Sequence, residues 1–311
     1  MEEMETKMEQ KSMTALISAF SRVYHFKNNV VRIFADSVGE KILSEDEYQQ
    51  ISDNMKKGIK FFNPNFNGNE EEALRWIVDN HLSPSPLGRA AYVERILENA
   101  VRIGVKQYLI FAAGYDSFAY RQPEYAKSLQ IFEIDHPFTS KDKQNRVKSI
   151  VEDKIPNLQY IMADFTQENW QEGILSCPEF DKSKLSFCSL LGISYYLSKQ
   201  DFRNLVYIIS QLIPEGSSIV FDYPDQDTYT EKAGERTKKL TMMADGAGEK
   251  MMASYSYNEM EEMLSDCGFL IYEHLEPSEI TEQYFKEYNS TNLNNQMSAF
   301  DNVNYCLAVK K

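Results

Sequence analysis

From Thr14 to Tyr24 the apolar residues Leu16, Ile17, Phe20, Val23 and Tyr24 recur at i, i+1, i+4, i+7 and i+8, the stripe of an amphipathic helix. The following stretch to Asn80 is polar and mostly helical in pattern. It is broken at Asn63-Pro64-Asn65 and Asn67-Gly68-Asn69, turn-forming clusters ahead of an acidic helix start at Glu70 to Glu72. Ser83-Pro84-Ser85-Pro86 reads as the clearest boundary in the chain, because each proline disfavours helix in the residue before it and removes a backbone donor. Beyond it Val93, Ile96, Leu97, Ala100 and Val101 form a helix face, Gly104 sits at a helix C-cap, and Tyr108 to Ala112 is a buried strand.

The alternation then continues. Strands are predicted at Leu129 to Ile134, Leu158 to Ala163, Ser186 to Leu190 and Ser218 to Tyr223, with helices starting at Pro137, Thr166 and Ser198 between them. Ser198 with Asp201, and Ser256 with Glu259, have capping-box spacing, and Cys267-Gly268 closes the helix begun at Ser256. Two last strands, Phe269 to His274 and Val303 to Val309, have no obvious periodic helix between them and fit an antiparallel hairpin at a sheet edge. The expected fold is α/β: a Rossmann-like, doubly wound, seven-stranded sheet with an N-terminal helical cap.

Composition narrows the partners. Thirty-three Lys and Arg against 47 Asp and Glu give a net charge of -14, which repels nucleic acid at long range and leaves small molecules and sulfonium cations acceptable. Cys177, Cys188, Cys267 and Cys306 are too few for a disulfide framework and lack the C-x-x-C spacing of a zinc clasp, so no metal and a reducing compartment are expected. The amino terminus is acidic where a targeting peptide should be basic, and no apolar run approaches the ~20 residues of a bilayer span. A cytoplasmic protein, not bound to membranes, is expected.

Ligands of doubly wound sheets bind outside the carboxyl ends of the strands. The first strand runs into Ala112-Ala113-Gly114, small residues that let backbone approach a ligand. Asp135, 21 residues beyond Gly114, ends the second strand. It is placed either to accept both hydroxyls of a ribose or to cap the helix begun at Pro137. Asp164 and Phe165 end the third strand, where a carboxylate and a ring suit adenine; taken alone, Asp164 also reads as a solvated loop residue before an N-cap at Thr166. A dinucleotide needs a glycine-rich phosphate turn, absent here, while S-adenosylmethionine has no phosphate.

The turn at Ala112 to Gly114 and Asp135 lie inside longer matches: Ser18 to His25, Ile33 to Asp36, Pro86 to Ala90, Val105 to Arg121, Phe132 to Pro137 and Gly192 to Leu197. Through them the chain resembles class I S-adenosylmethionine-dependent methyltransferases of the leucine carboxyl methyltransferase family, in their polyketide O-methyltransferase-like branch. The resemblance implies that Arg89 binds the methionine carboxylate, that the turn from Ala112 to Gly114 approaches the cofactor, that Asp135 takes the ribose and that Asp164 with Phe165 flanks adenine. The chain departs from the family at two positions, having Ala112 for a usual glycine and Leu191 for a glutamate that helps line the cofactor site.

The implied activity is methyl transfer from S-adenosylmethionine to a carboxylate or hydroxyl of a small molecule. A carboxylate acceptor needs no base, whereas a phenol benefits from one. No catalytic base is assigned; Tyr24, His25, Tyr195 and Tyr196 are candidates for the acceptor side. Residues 1–86 are expected to form the cap and 87–311 the methyltransferase domain. An insert near 224–253, rich in methionine at Met242, Met243, Met251 and Met252, is expected to cover the substrate, although each methionine by itself also reads as filling a gap between insert and sheet. Two rival readings are a catalytically silent binding protein of the same fold and, disfavoured by the missing phosphate turn, a nicotinamide-dependent oxidoreductase.

Overall fold

In a computed structural model, which describes residues 12–148 and 155–311, the apolar runs pair into a single sheet. Its strands are β1 (Gln107–Phe111), β2 (Gln130–Asp135), β3 (Leu158–Met162), β4 (Ser186–Leu190), β5 (Ser218–Pro224), β6 (Phe269–Leu275) and β7 (Val303–Lys310). They lie in the order β3-β2-β1-β4-β5-β7-β6. The first five are parallel, and β7 runs antiparallel between β5 and β6. This is the doubly wound seven-stranded sheet that the alternation predicts. Its order reverses between β1 and β4, which opens a crevice at their carboxyl ends. The acidic residues 1–7 lie outside the described residues.

The longer helices are α1 (Met13–Asn28), α2 (Glu45–Lys57), α3 (Glu70–Ile77), α4 (Pro84–Arg102), α5 (Pro137–Val147), α6 (Lys199–Leu212), α7 (Glu235–Gly246) and α8 (Tyr257–Asp266). Side chains alternate across the strands, so Tyr108 and Ile110 of β1 meet Leu87, Tyr92 and Leu97 of α4. On the other face Leu109 and Phe111 share a core with Phe202, Val206 and Ile209 of α6 and Met260 and Leu264 of α8. Because both faces of the sheet are covered, every residue of β1 and β4 is buried, the polar Gln107, Ser186 and Ser189 included. A separate core of Phe20, Ile51, Leu74 and Ile77 binds α1, α2 and α3 together. Among the described residues no helix is long and apolar enough to cross a membrane.

The local signals act as read at most ends. Ser256 and Glu259 close a reciprocal capping box, Ser198 accepts from the Asp201 N–H, and Gly104 takes the left-handed conformation after α4. Three readings change. The Ser-Pro-Ser-Pro stretch, read as a boundary that disfavours helix, is itself a helix start. Pro84 occupies the first turn of α4, where a missing N–H leaves no bond unmade, and a π-turn at Val78–Leu82 runs straight into it. No long helix follows Thr166: the chain makes turns and then one helical turn, Glu172–Leu175. Between β6 and β7 lie helical segments from Pro277 to Thr291, interrupted by a π-turn at Thr281–Phe285 that shifts the 3.6-residue register and hides the periodicity.

Charged residues tie the helical layer to the sheet. Fully buried Asp36 accepts from Arg22 Nε at 2.9 Å and the Gly39 N–H at 2.9 Å. Burial opposes its charge, but Arg22, Ser117 and Arg121 prevail and hold its carboxyl below the ordinary range. Arg146 of α5 grips Glu47 of α2 with two bonds, 2.6 and 2.8 Å. Chiefly through these bonds, the Glu47 carboxyl is lowered from 4.5 to about 2.

A carboxyl depressed in the folded state stabilises above its unfolded pKa and loses that stabilisation as pH falls through the folded value. Glu47→Gln is expected to cost about 1 kcal/mol at neutral pH. The gap between wild type and variant should close as pH falls from 4.5 toward about 2. Urea unfolding midpoints across that interval check this; a gap independent of pH contradicts it.

Candidate active site

A cavity of about 380 Å³ opens at the carboxyl ends of β1, β2 and β4. Its floor is the turn after β1. Ala112 there has φ +51°, a left-handed conformation that an L-residue with a Cβ adopts at a cost of about 1 kcal/mol or more. This is the position where the resemblance leads one to expect glycine, so the methyl group is accommodated by strain in the backbone. The Gly114 N–H donates to Asp135 at 2.5 Å and the His136 N–H donates to the same carboxylate at 2.7 Å. Burial pushes the Asp135 carboxyl up, against the pull of these two donors. Asp135 is not the cap of α5: His136 is, its Nδ1 accepting from the Phe138 N–H at 3.3 Å. The carboxylate thus faces the cavity, bound to the turn, with acceptor capacity left over.

The opposite wall is organised by a residue that the sequence did not single out. Asp222 of β5 is fully buried. It accepts from the Gly192 N–H at 2.7 Å, Tyr195 Oη at 2.9 Å and Arg89 Nη1 at 3.3 Å, while its carbonyl accepts from Ser194 Oγ at 2.7 Å. The Arg89 side chain is 18% exposed and lies in the cavity wall. Burial disfavours its charge, but Asp222 outweighs this and keeps it firmly protonated. Gly192 has φ +68°, and a Cβ there would stand 2.5 Å from Arg89 Nη1, so only glycine lets the guanidinium lie on this turn. Leu191, Tyr195 and Tyr196 line the same wall.

The roof comes from outside the sheet. Ala15, Ile17 and Ser18 of α1, Leu82 and Pro86 around the start of α4, and Leu240, Met243 and Met251 all face the cavity. Met242 and Met252 are exposed and do not. Glu249 fastens the insert to α1, accepting from the Met13 N–H at 3.0 Å, the Thr14 N–H at 3.3 Å and the Thr14 hydroxyl. The Met252 N–H donates to the Tyr195 carbonyl at 2.7 Å and closes the far side. Arg22, also in the wall, donates to the Tyr115 carbonyl at 2.7 Å and so pins the β1 turn from α1.

Arg89, Ala112, Gly114, Asp135, Leu191, Tyr195 and Tyr196 therefore share one hollow, and the other four candidates lie outside its wall. Asp164 ends β3, but its carboxylate accepts from the Thr166 N–H at 3.0 Å and hydroxyl at 2.7 Å. Partial burial opposes its charge, yet these bonds keep its carboxyl below the ordinary range. Asp164 caps the turn, where Thr166 was read as the cap. Phe165 packs edge-on against Trp170, centroids 5.1 Å apart. Tyr24 and His25 turn into the core. Burial raises the Tyr24 hydroxyl, and His25 accepts from the Ile33 N–H at 3.0 Å and lies 5.3 Å from the Tyr288 ring. The wall also contains Arg22, Asp116, His81, Glu249 and Phe300, none of which was assigned a role from sequence. Arg22 falls opposite the apolar stripe of α1, where a polar residue reads as solvent-facing, so the pattern carried no signal for it.

The leucine carboxyl methyltransferase family model matches residues 15–210. A Bacillus subtilis (strain 168) protein named "Putative S-adenosyl-L-methionine-dependent methyltransferase YktD" is 38% identical over 307 residues, 97% of this chain and 99% of its own. A Mycobacterium avium (strain 104) protein described in the same words, without the symbol, is 27% identical over 145 residues, 47% of each chain. Among solved structures, a DUF574 family protein from Streptomyces avermitilis MA-4680 shares the fold over 94% of this chain and 97% of its own. Its TM-score is 0.59 at 11% identity.

The strained floor makes a prediction. Ala112→Gly removes the left-handed penalty but adds chain entropy to the unfolded state, for a net gain of about 0.5–1 kcal/mol. Ala112→Val should lose about 1 kcal/mol or more, because branching at Cβ worsens the same conformation. Chemical denaturation of the three proteins checks the order; glycine below alanine contradicts the left-handed backbone.

Proposed function

The chain belongs to the leucine carboxyl methyltransferase family, and on that premise we propose that it transfers a methyl group from S-adenosylmethionine to a carboxylate or hydroxyl oxygen of a small molecule. The observation that carries this reading is the charge arrangement of the cavity. The wall holds the carboxylates of Asp116, Asp135 and Glu249, while its two arginines, Arg22 and Arg89, are already paired with buried Asp36 and Asp222 behind it. Such a hollow suits a sulfonium and an amino acid and repels a pyrophosphate. When bound, S-adenosylmethionine supplies an activated methyl group on sulfur.

The residues fit that ligand. Arg89 has one hydrogen bond among the described residues, to Asp222, and its remaining N–H groups are free to hold an α-carboxylate. Each Asp135 oxygen accepts one backbone N–H and retains a lone pair for a ribose hydroxyl. The small residues Ala112 to Gly114 let the ligand lie close to backbone. An adenine reaching past Asp135 toward β3 would meet Asp164 and Phe165, so these are kept as its flank. The work left to the chain is alignment and exclusion of water, and the roof fastened by Glu249 serves both.

We assign the acceptor side to the helical cap, residues 12–86 of it being described, together with the 224–253 insert. Tyr195 and Tyr196 stand where cofactor and acceptor sides meet. The free thiols of all four cysteines support a reducing, cytoplasmic setting.

Calorimetry tests the reading. S-adenosylmethionine is expected to bind in the micromolar range. Arg89→Ala and Asp135→Asn should each weaken it by about tenfold or more, as the loss of a charge-assisted hydrogen bond requires. Asp164→Asn should weaken it only about threefold, its carboxylate being shared with Thr166. No heat at millimolar ligand with folded protein contradicts the proposal.

A further inference from the structure

His81 differs from the other histidines. His25 accepts from Ile33, His136 from Phe138, and His274 Nε2 lies 2.8 Å from the Tyr223 hydroxyl. His81 lies in the cavity wall, only 5% exposed; its Nδ1 is sealed from solvent without a partner, and no hydrogen bond to Nε2 is present among the described residues. A buried polar side chain is normally satisfied. This one is directed at a cavity and is not.

Its placement is specific. His81 sits on the π-turn at Val78–Leu82, closed by the Ser83 N–H on the Val78 carbonyl at 2.8 Å, and such turns are frequent at functional sites. His81, Ser85 and Arg89 follow at i, i+4 and i+8, and all three line the cavity. At 1.5 Å per residue His81 stands about 12 Å along the axis from Arg89, at the far end of the hollow from the proposed amino-acid site. Phe62 and Trp76 hold the ring at centroid distances of 4.9 and 5.4 Å.

The surroundings set its charge. Burial first, then Arg236 and Lys239 of α7, bring its pKa down to about 4. Both cations are fixed close by, Arg236 donating to the Asn80 carbonyl at 3.3 Å and Lys239 to the Phe62 carbonyl at 2.6 Å, while the half-exposed Asp301 carboxylate lies 3.3 Å from Arg236 Nε. On its own helical stretch, buried Asp79 lies 3.3 Å from Arg75 Nε and so is paired away from the ring. The imidazole is therefore neutral at physiological pH, with one N–H. A sealed N–H lacking an acceptor is rarer than an unsatisfied lone pair, which puts the proton on Nε2. A histidine this weakly basic cannot deprotonate a hydroxyl near pKa 10 efficiently, whereas an N–H backed by two cations suits an anion.

We propose that His81 binds the methyl acceptor, donating Nε2–H to the oxygen that receives the methyl group, and that this oxygen is already ionised on an otherwise apolar small molecule. The proposal rests on the methyltransferase reading above. The apolar body would lie among Leu240, Met243, Met251 and Phe300. The acceptor oxygen's electron pair forms the new O–C bond as the S–C bond breaks, its electrons remaining on sulfur. Anion and sulfonium charges cancel, and no proton is released.

The test uses full-length protein labelled with ¹⁵N-histidine and saturated with S-adenosylhomocysteine, with benzoate and benzyl alcohol as probes. His81 signals are identified by their loss in His81→Phe. They are expected to report the neutral Nε2–H tautomer from about pH 5 to 8. Benzoate should shift the Nε2 signal and benzyl alcohol should not. His81→Phe should weaken benzoate about tenfold, and His81→Gln, which retains an N–H donor, less. Both variants should bind S-adenosylhomocysteine as the wild type does, which also shows that they are folded. An Nδ1–H or charged ring, no response to benzoate, or an equal response to the alcohol overturns the proposal. Failure of S-adenosylhomocysteine to bind the wild type would instead remove the reading beneath it.

Discussion

A buried carboxylate on the fifth strand holds the site together. Asp222 has no solvent to share its charge, so it must be satisfied from the protein, and each group that satisfies it belongs to the cavity wall. Arg89 comes from α4, Gly192 and Tyr195 from the loop after β4. One charge thereby fixes the relative positions of a helix and a loop that also share one hydrophobic core. Losing one member of a buried pair typically costs about 3–5 kcal/mol, since the partner is left uncompensated. Gly192 completes the arrangement by having no Cβ where the guanidinium lies.

Facing this, Asp135 does the same for the floor by binding the Gly114 N–H, and Arg22 holds the next carbonyl of that turn from α1. Floor and roof are thus joined through one arginine, and roof and insert through one glutamate, Glu249. The consequence is a hollow whose arginines are neutralised from behind, whose wall carboxylates are hydrogen-bonded but have no salt-bridge partner among the described residues, and whose far end is backed by Arg236 and Lys239. A cation at one end and an anion at the other are the natural occupants of such a field.

The strands were legible as short runs rich in apolar residues between turn and helix signals, as Tyr108 to Phe111 and Ile219 to Phe221 are. Asp135 was legible from its place at a strand end. Asp222 was not: within Val220 to Pro224 it interrupts an apolar strand as a lone carboxylate, and its partners lie 27 to 133 residues away. Nor was His81, because nothing in the sequence brings its segment to the strand ends, and a lone histidine reads as a packing residue. The π-turn at Thr281–Phe285 concealed the helical connection before β7. Tyr24 and His25 show the converse, since their segment matched the family well but their side chains serve the core. A matched motif locates a helix; packing decides which of its residues reach the ligand.

The most direct test is a crystal structure with S-adenosylhomocysteine. Arg89 should keep its bond to Asp222 while a second face of the guanidinium holds the ligand's α-carboxylate, and Asp135 should accept the ribose hydroxyls without releasing Gly114. A ligand whose carboxylate draws Arg89 away from Asp222, or whose ribose lies remote from Asp135, would contradict the account.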